Sequence, residues 1–378
     1  MRIHAKRLLT PQGFISDQIV TIQSGVIMSI TPGTDAPVCA DILTPGLIDL
    51  HVHGGEGFDA RNFDLNAIVP FLNKMLECGV TGLLMTVSTG QRDTMRHGLE
   101  VTRQAMRLQK EGLLGGARIL GAHLEGPFLS LERPGAMPPQ DIVPPSIAAY
   151  EALFSGYEDV IRKISIAVEE PGADELIAHL QAKGVIVQAG HTDATFEQAQ
   201  HAFSLGVRSL CHTFNACRPI HHRSPGIITA ALLHPDVYCE AICDLEHLHG
   251  GTLQLIYRMK GADRMILVSD SVSTHGMPDG DYFMEGYHIV VKDGVSHTAD
   301  GALDGGGAYL DQAVRNLMML GASEADAVHM ASRTPAARMG FGELGEIAPG
   351  NRAHLTAWNA DWHVAFTILE DGMHAGGH

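Results

Sequence analysis

The side chains best equipped for chemistry are histidines and carboxylates set at the ends of short apolar runs. In Thr44-Pro-Gly-Leu-Ile-Asp-Leu-His51-Val-His53-Gly-Gly55 the run after Pro45-Gly46 predicts a buried parallel strand. Side chains on a strand repeat every second residue, so His51 and His53 point the same way and make half a metal site. Further apolar runs end in His123-Leu-Glu125-Gly-Pro, Gly190-His191-Thr, His212-Thr-Phe-Asn215, Asp244 and Asp270. A lone His or Asp in such a place commonly caps a helix or satisfies a loop. Delivered together to one face, they point to a bound divalent ion. Two neutral imidazoles and a carboxylate leave such an ion an open position, where a water is acidified to a pKa of about 7. Hydrolysis of a poor electrophile needs that nucleophile. It also needs a carboxylate to take the water's proton and return it to the leaving group. Asp270 is the candidate, its other possible task being to orient an imidazole from behind.

The elements that must position these groups follow a pattern of strand, loop and helix. Strands are predicted at 46–50, 82–87, 118–123, 164–168, 185–189, 207–211, 238–243 and 265–269, with helices at 67–78, 94–111, 174–183, 195–205 and 253–259. Eight parallel strands alternating with helices are the count and order of an α/β protein of the (β/α)8 or TIM barrel class, whose chemistry gathers at the carboxyl ends of the strands. Short alternating segments at 3–9, 18–22 and 25–30, and again at 345–358 and 364–369, predict a small β-sandwich domain built from both termini. The expected division is 1–43 with 345–378 for that domain and 44–344 for the catalytic barrel.

Composition narrows the partners. A chain of 378 residues, 45% hydrophobic, can bury a large core. No stretch reaches the roughly 20 apolar residues of a membrane helix. Met1-Arg-Ile-His-Ala-Lys lacks the apolar centre of a signal peptide, so a cytoplasmic protein without membrane partners is expected. Six cysteines without a Cys-x-x-Cys pair read as reduced thiols in the core. A formal charge of −17 repels a nucleic-acid backbone, yet leaves room for one phosphate beside a local cation.

Taken in order, Pro45-Gly-Leu-Ile-Asp-Leu-His-Val-His53, His123-Leu-Glu-Gly-Pro127, Gly190-His-Thr192, His212-Thr-Phe-Asn-Ala216, His222-Arg-Ser-Pro-Gly226, Asp244 with His247, and Val268-Ser-Asp270 resemble the amidohydrolase superfamily, and within it the deacetylases of N-acetyl amino-sugar 6-phosphates. The resemblance implies that Glu125, His191 and His212 hold one divalent metal, usually zinc, and that His51 and His53 hold a second where there is one. It implies Asp270 as general base and acid. It further implies that Asn215, Ala216 and Arg223 bind the sugar phosphate, and that His247 reaches substrate in a homodimer, with Arg223 across the interface. On its own residue type, Arg223 is equally a solvated surface arginine.

Three departures from the family pattern concern substrate. Where the family has a substrate-contacting histidine after the Glu-Gly-Pro motif, this chain has Arg133-Pro-Gly-Ala-Met137. The loop after strand eight is Leu303-Asp304-Gly-Gly-Gly307, which adds a carboxylate, and flexibility, near where the acyl group would lie. Asp244-Leu-Glu-His247-Leu-His249 offers His249 or Glu246 as a substitute for His247. The expected function is deacetylation of GlcNAc-6-phosphate or GalNAc-6-phosphate. The alternatives are hydrolysis of another N-acyl or cyclic amide, and a catalytically silent binding module.

Overall fold

The structure is a computed structural model that describes residues 1–33, 37, 39–61, 67–284, 287–299, 301–370 and 372–376. Eight parallel strands lie in chain order in one sheet: Leu47–Val52, Val80–Ser88, Arg118–Glu125, Ile161–Ile166, Ile186–Ala189, Ser209–Leu210, Tyr238–Ile242 and Met265–Val268. Val52 bridges to Ser271, and the Asp270 N–H donates to the His51 carbonyl at 2.9 Å, so the last strand closes on the first. The fold is a (β/α)8 barrel.

Helices Ile68–Glu77, Arg92–Lys110, Ile147–Phe154, Ala173–Ala182, Phe196–Ser204, Gly226–Leu233, Gly250–Lys260 and Leu310–Met319 follow the strands in turn. Those after strands three, six and eight were not among the predicted segments. Gly226–Leu233 reads Gly-Ile-Ile-Thr-Ala-Ala-Leu-Leu and is buried on nearly every side, so it carries no polar stripe to mark a helix. Beyond strand eight lies a three-stranded antiparallel sheet, Gly280–Met284, Tyr287–Lys292 and Val295–Thr298, also unanticipated. Its second turn is Asp293-Gly294, with φ of 53° and 77°, the pair that a tight hairpin demands.

Both chain ends share a seven-stranded sheet, in the order Gly372–Ala375, Val364–Leu369, Leu355–Trp358, Ala40–Pro45, Arg2–Thr10, Gly13–Gln23 and Val26–Pro32. Ile3, Leu8, Val20, Ile27, Leu43, Leu355 and Ile368 form its core. Of the stretch 345–358, expected to hold short strands, only Leu355–Trp358 is strand, and Gly345 and Gly350 with φ of 81° and 94° turn the chain before it. Only Gly46 separates Ala40–Pro45 from the first barrel strand. A Cβ there would lie 2.1 Å from Thr81 Oγ1, so the junction requires glycine.

A polar layer plugs the barrel beneath its carboxyl end. Lys163 and Glu240, each 1% exposed, pair at 2.7 Å, and the Gln188 amide donates to Ser165 Oγ at 2.8 Å and to Glu240 Oε2 at 3.3 Å. His123 joins this layer, Nε2 lying 2.8 Å from Ser165 Oγ and Nδ1 3.2 Å from Thr86 Oγ1. Burial, and then the charge of Lys163, hold it well below the ordinary histidine range. A neutral His123 with both nitrogens engaged is part of the site's floor. Of the six cysteines, Cys39 is exposed and the other five are buried free thiols.

Candidate active site

Three barrel strands bring one acidic and two imidazole side chains to a point. Glu125 Oε1 lies 3.1 Å from His191 Nε2 and 3.0 Å from His212 Nε2, and the two Nε2 atoms are 3.1 Å apart. The other ring nitrogens fix the tautomers. His191 Nδ1 faces the carbonyls of Arg133 and Pro134 at 3.1 Å each, and His212 Nδ1 faces that of Asn215 at 3.2 Å. A carbonyl only accepts, so both Nδ1 atoms carry a proton, and in the neutral rings both Nε2 atoms present lone pairs. With Glu125 these make three acceptors at one point, an arrangement that is stable around a cation. Without one, burial is outweighed by Cys211 and Glu125, which hold the His212 imidazole well above the ordinary histidine range. Ligands about 2.1 Å from a shared ion lie roughly 3.0–3.4 Å apart, and these separations match.

A second group adjoins the first. His51 Nε2 and His53 Nε2 are 3.2 Å apart, each 3.1 Å from Asp270 Oδ1, and they lie 3.4 and 3.3 Å from the two Glu125 oxygens. Glu125 therefore stands between two three-ligand sets, Glu125 with His191 and His212, and His51 with His53 and Asp270. Burial pushes the Glu125 carboxyl up, but His51 and the hydrogen-bonding imidazoles outweigh it and hold the group well below the usual range. Burial likewise opposes, and His51 and His53 secure, the lowered Asp270 carboxyl, so both carboxylates are ionised.

The backbone is bent to this purpose. His191, His212 and Asp270 have φ of 46°, 21° and 52°, the left-handed region that side chains other than glycine rarely adopt. Such conformations cost on the order of 1–2 kcal/mol each and concentrate at functional sites. The capping box of Thr195 with Gln198 starts the helix that follows His191 and fixes the end of that loop.

The cluster opens into a cavity of about 390 Å³. Of the predicted substrate residues, Met137, Asn215, Ala216, His247 and Leu303 line it. Arg223 does not; it is exposed, its guanidinium 2.7 Å from His222 Nε2. His247 Nδ1 is 2.7 Å from Asp244 Oδ2 and is thereby oriented, whereas Glu246 and His249 are exposed and outside the lining. The lining also holds Ser88, Asp59, Arg61 and Asp304. Ser88 ends the second barrel strand, one residue past its predicted limit, and sits 2.8 Å from His53 Nδ1, so the strand-end rule would have found it. Arg61 lies in an irregular loop with no such signal. Two glycines of the Leu303–Gly307 loop are packed tightly. A Cβ on Gly306 would lie 1.8 Å from the Ser269 carbonyl oxygen, and one on Gly305 2.4 Å from Val272 Cγ1, so these residues are glycine for close packing.

A closed eightfold barrel carrying two adjacent His and carboxylate sets is the architecture of a metal-dependent hydrolase, and the chain belongs to the amidohydrolase family, which it matches over residues 42–372. Among amidohydrolases it is 36% identical to an N-acetylgalactosamine-6-phosphate deacetylase of Escherichia coli O157:H7 over 369 residues, 96% of each chain. It is 33% identical to an N-acetylglucosamine-6-phosphate deacetylase of Vibrio furnissii over 375 residues, 97% of this chain and 93% of the relative. The N-acetyl-D-glucosamine-6-phosphate deacetylase of Mycobacterium smegmatis, solved in complex with N-acetyl-D-glucosamine-6-phosphate, superposes with a TM-score of 0.90 at 28% identity, covering 99% of both chains.

Proposed function

We propose that this protein removes the acetyl group from an N-acetylhexosamine 6-phosphate, releasing acetate and the hexosamine 6-phosphate. The observation that carries the reading is the convergence of the Nε2 atoms of His191 and His212 on Glu125, with Asp270 alongside, in a cavity open to solvent. Glu125, His191 and His212 would hold one divalent ion, zinc being the family's usual choice, and His51 and His53 a second. When bound, such an ion supplies Lewis acidity, making water nucleophilic near neutral pH and polarising an amide carbonyl.

The protein's own groups do the rest. Asp270, ionised and held by His51 and His53, accepts the proton of the attacking water and passes it to the leaving nitrogen, which departs as an amine. The Met137 side chain offers the acyl carbonyl no hydrogen-bond donor. Asn215, Ala216 and His247, over strands six and seven, bind the sugar phosphate. Arg223 does not line the cavity of its own chain, and its place in the site is across a homodimer interface.

Acetate release from the N-acetylated glucosamine and galactosamine 6-phosphates, against their unphosphorylated forms, tests this. Turnover confined to the phosphorylated sugars is expected, with Arg223→Ala lowering kcat/KM on those alone. Release of acetate from neither phosphate by metal-loaded protein would overturn the reading.

A further inference from the structure

Asp304 is the one departure in the cavity wall that changes charge. The loop carrying it is pinned at several points: the Asp304 N–H donates to the Ser296 carbonyl at 3.0 Å, the Gly306 N–H to the Asp270 carbonyl at 2.8 Å, and the Gly307 N–H to Asp244 Oδ2 at 3.0 Å. Its carboxylate is therefore delivered beside Asp270 by backbone that has little room to move. Among the described residues this carboxylate has no hydrogen-bond or ion-pair partner. Arg61 is close enough to act on it electrostatically, but that guanidinium forks onto Asp59, with Nε and one terminal nitrogen each 3.2 Å from a carboxylate oxygen. Burial pushes the Asp304 carboxyl up against the pull of His53 and Arg61. An anion in a half-buried wall without a partner is expensive unless a bound molecule supplies the hydrogen bond.

The barrel's order says which part of the substrate does so. Asn215, Ala216 and His247 stand over strands six and seven, whereas Asp304 stands with His53 and Arg61 over strands eight and one. A substrate whose phosphate lies over the first pair and whose amide lies at Asp270 extends its acyl group toward the second pair. There Val272, Ala302 and Leu303 line the cavity together with Asp304. We propose that Asp304 makes this pocket select an acyl group with a hydrogen-bond donor on the carbon next to the carbonyl, hydroxyacetyl in preference to acetyl. The inference rests on the deacylase reading above. The hydroxyl donates to the carboxylate, whereas an acetyl methyl leaves it unpaired.

The test is a one-pot competition between N-acetyl and N-hydroxyacetyl hexosamine 6-phosphate, with released acetate and hydroxyacetate measured together. Their ratio gives relative kcat/KM and does not depend on how much of a variant is folded. The wild type is expected to favour hydroxyacetyl about tenfold or more, and Asp304→Ala to lower that preference at least tenfold, with Asp304→Asn between them. A ratio unchanged in both variants, or a wild type that favours acetyl, overturns the pocket assignment while the deacylase reading stands. Release of neither acid by metal-loaded wild type overturns both.

Discussion

In the proposed reaction Asp270 acts while flanked by two imidazoles, its Oδ1 lying 3.1 Å from the Nε2 of each. Asp270→Asn keeps the shape and removes the proton acceptor. We expect kcat to fall about 10²–10⁴-fold while elemental analysis finds the bound metal retained, since Glu125, His191 and His212 are untouched. Most of this chemistry was legible before any coordinates, because imidazoles and carboxylates at strand ends are forced to one face by the strand's two-residue repeat. What sequence does not carry is distance. Nothing in the string shows that Arg61 forks onto Asp59 while Asp304, more than two hundred residues later, finds no hydrogen-bond partner for its carboxylate among the described residues. Nor does it show that His123 turns downward to Ser165 and Thr86 while Glu125, two residues on, faces the cavity.

At the level of elements, the loop after strand eight and the polar layer under the site make opposite kinds of demand. Gly306→Ala places a methyl against the Ser269 carbonyl and displaces the anchor of Asp270. The urea-unfolding free energy should fall by about 1–3 kcal/mol, and kcat/KM about 10²-fold as the reacting groups lose register. Glu240→Ala strands the Lys163 ammonium, 1% exposed, and should cost about 3–5 kcal/mol in the same measurement. The double change Lys163→Met with Glu240→Leu should recover most of that, because no charge is left buried. Barrel strands were readable as apolar runs, and amphipathic helices by their stripe. The all-apolar Gly226–Leu233 and the inserted sheet at 280–298 escaped, the first for want of a stripe, the second because it interrupts the alternation after the count of eight is complete.

For the molecule as a whole, acid tolerance turns on groups folded away from water. Burial lowers His275 to about 4, while its ring stacks on Tyr309 with centroids 4.0 Å apart. The unfolded chain takes up that proton near pH 6.5 and the folded one does not, so stability is full above 6.5 and is lost as pH falls toward 4. Between pH 7 and pH 5 the loss in unfolding free energy should be about 2 kcal/mol smaller in His275→Asn than in the wild type. The globular class followed from length and composition, and a shared β domain was expected from the short alternating segments at both ends. The way its sheet joins the barrel was not. Ala40–Pro45, centred between amino- and carboxyl-terminal strands, passes through Gly46 straight into the strand that ends in His51 and His53. Trimming either end to obtain a minimal enzyme would therefore unravel the neighbour of the very rod that carries two of the metal's prospective ligands. Shortened versions should be built by cutting surface insertions such as the 280–298 sheet, and the tails left whole.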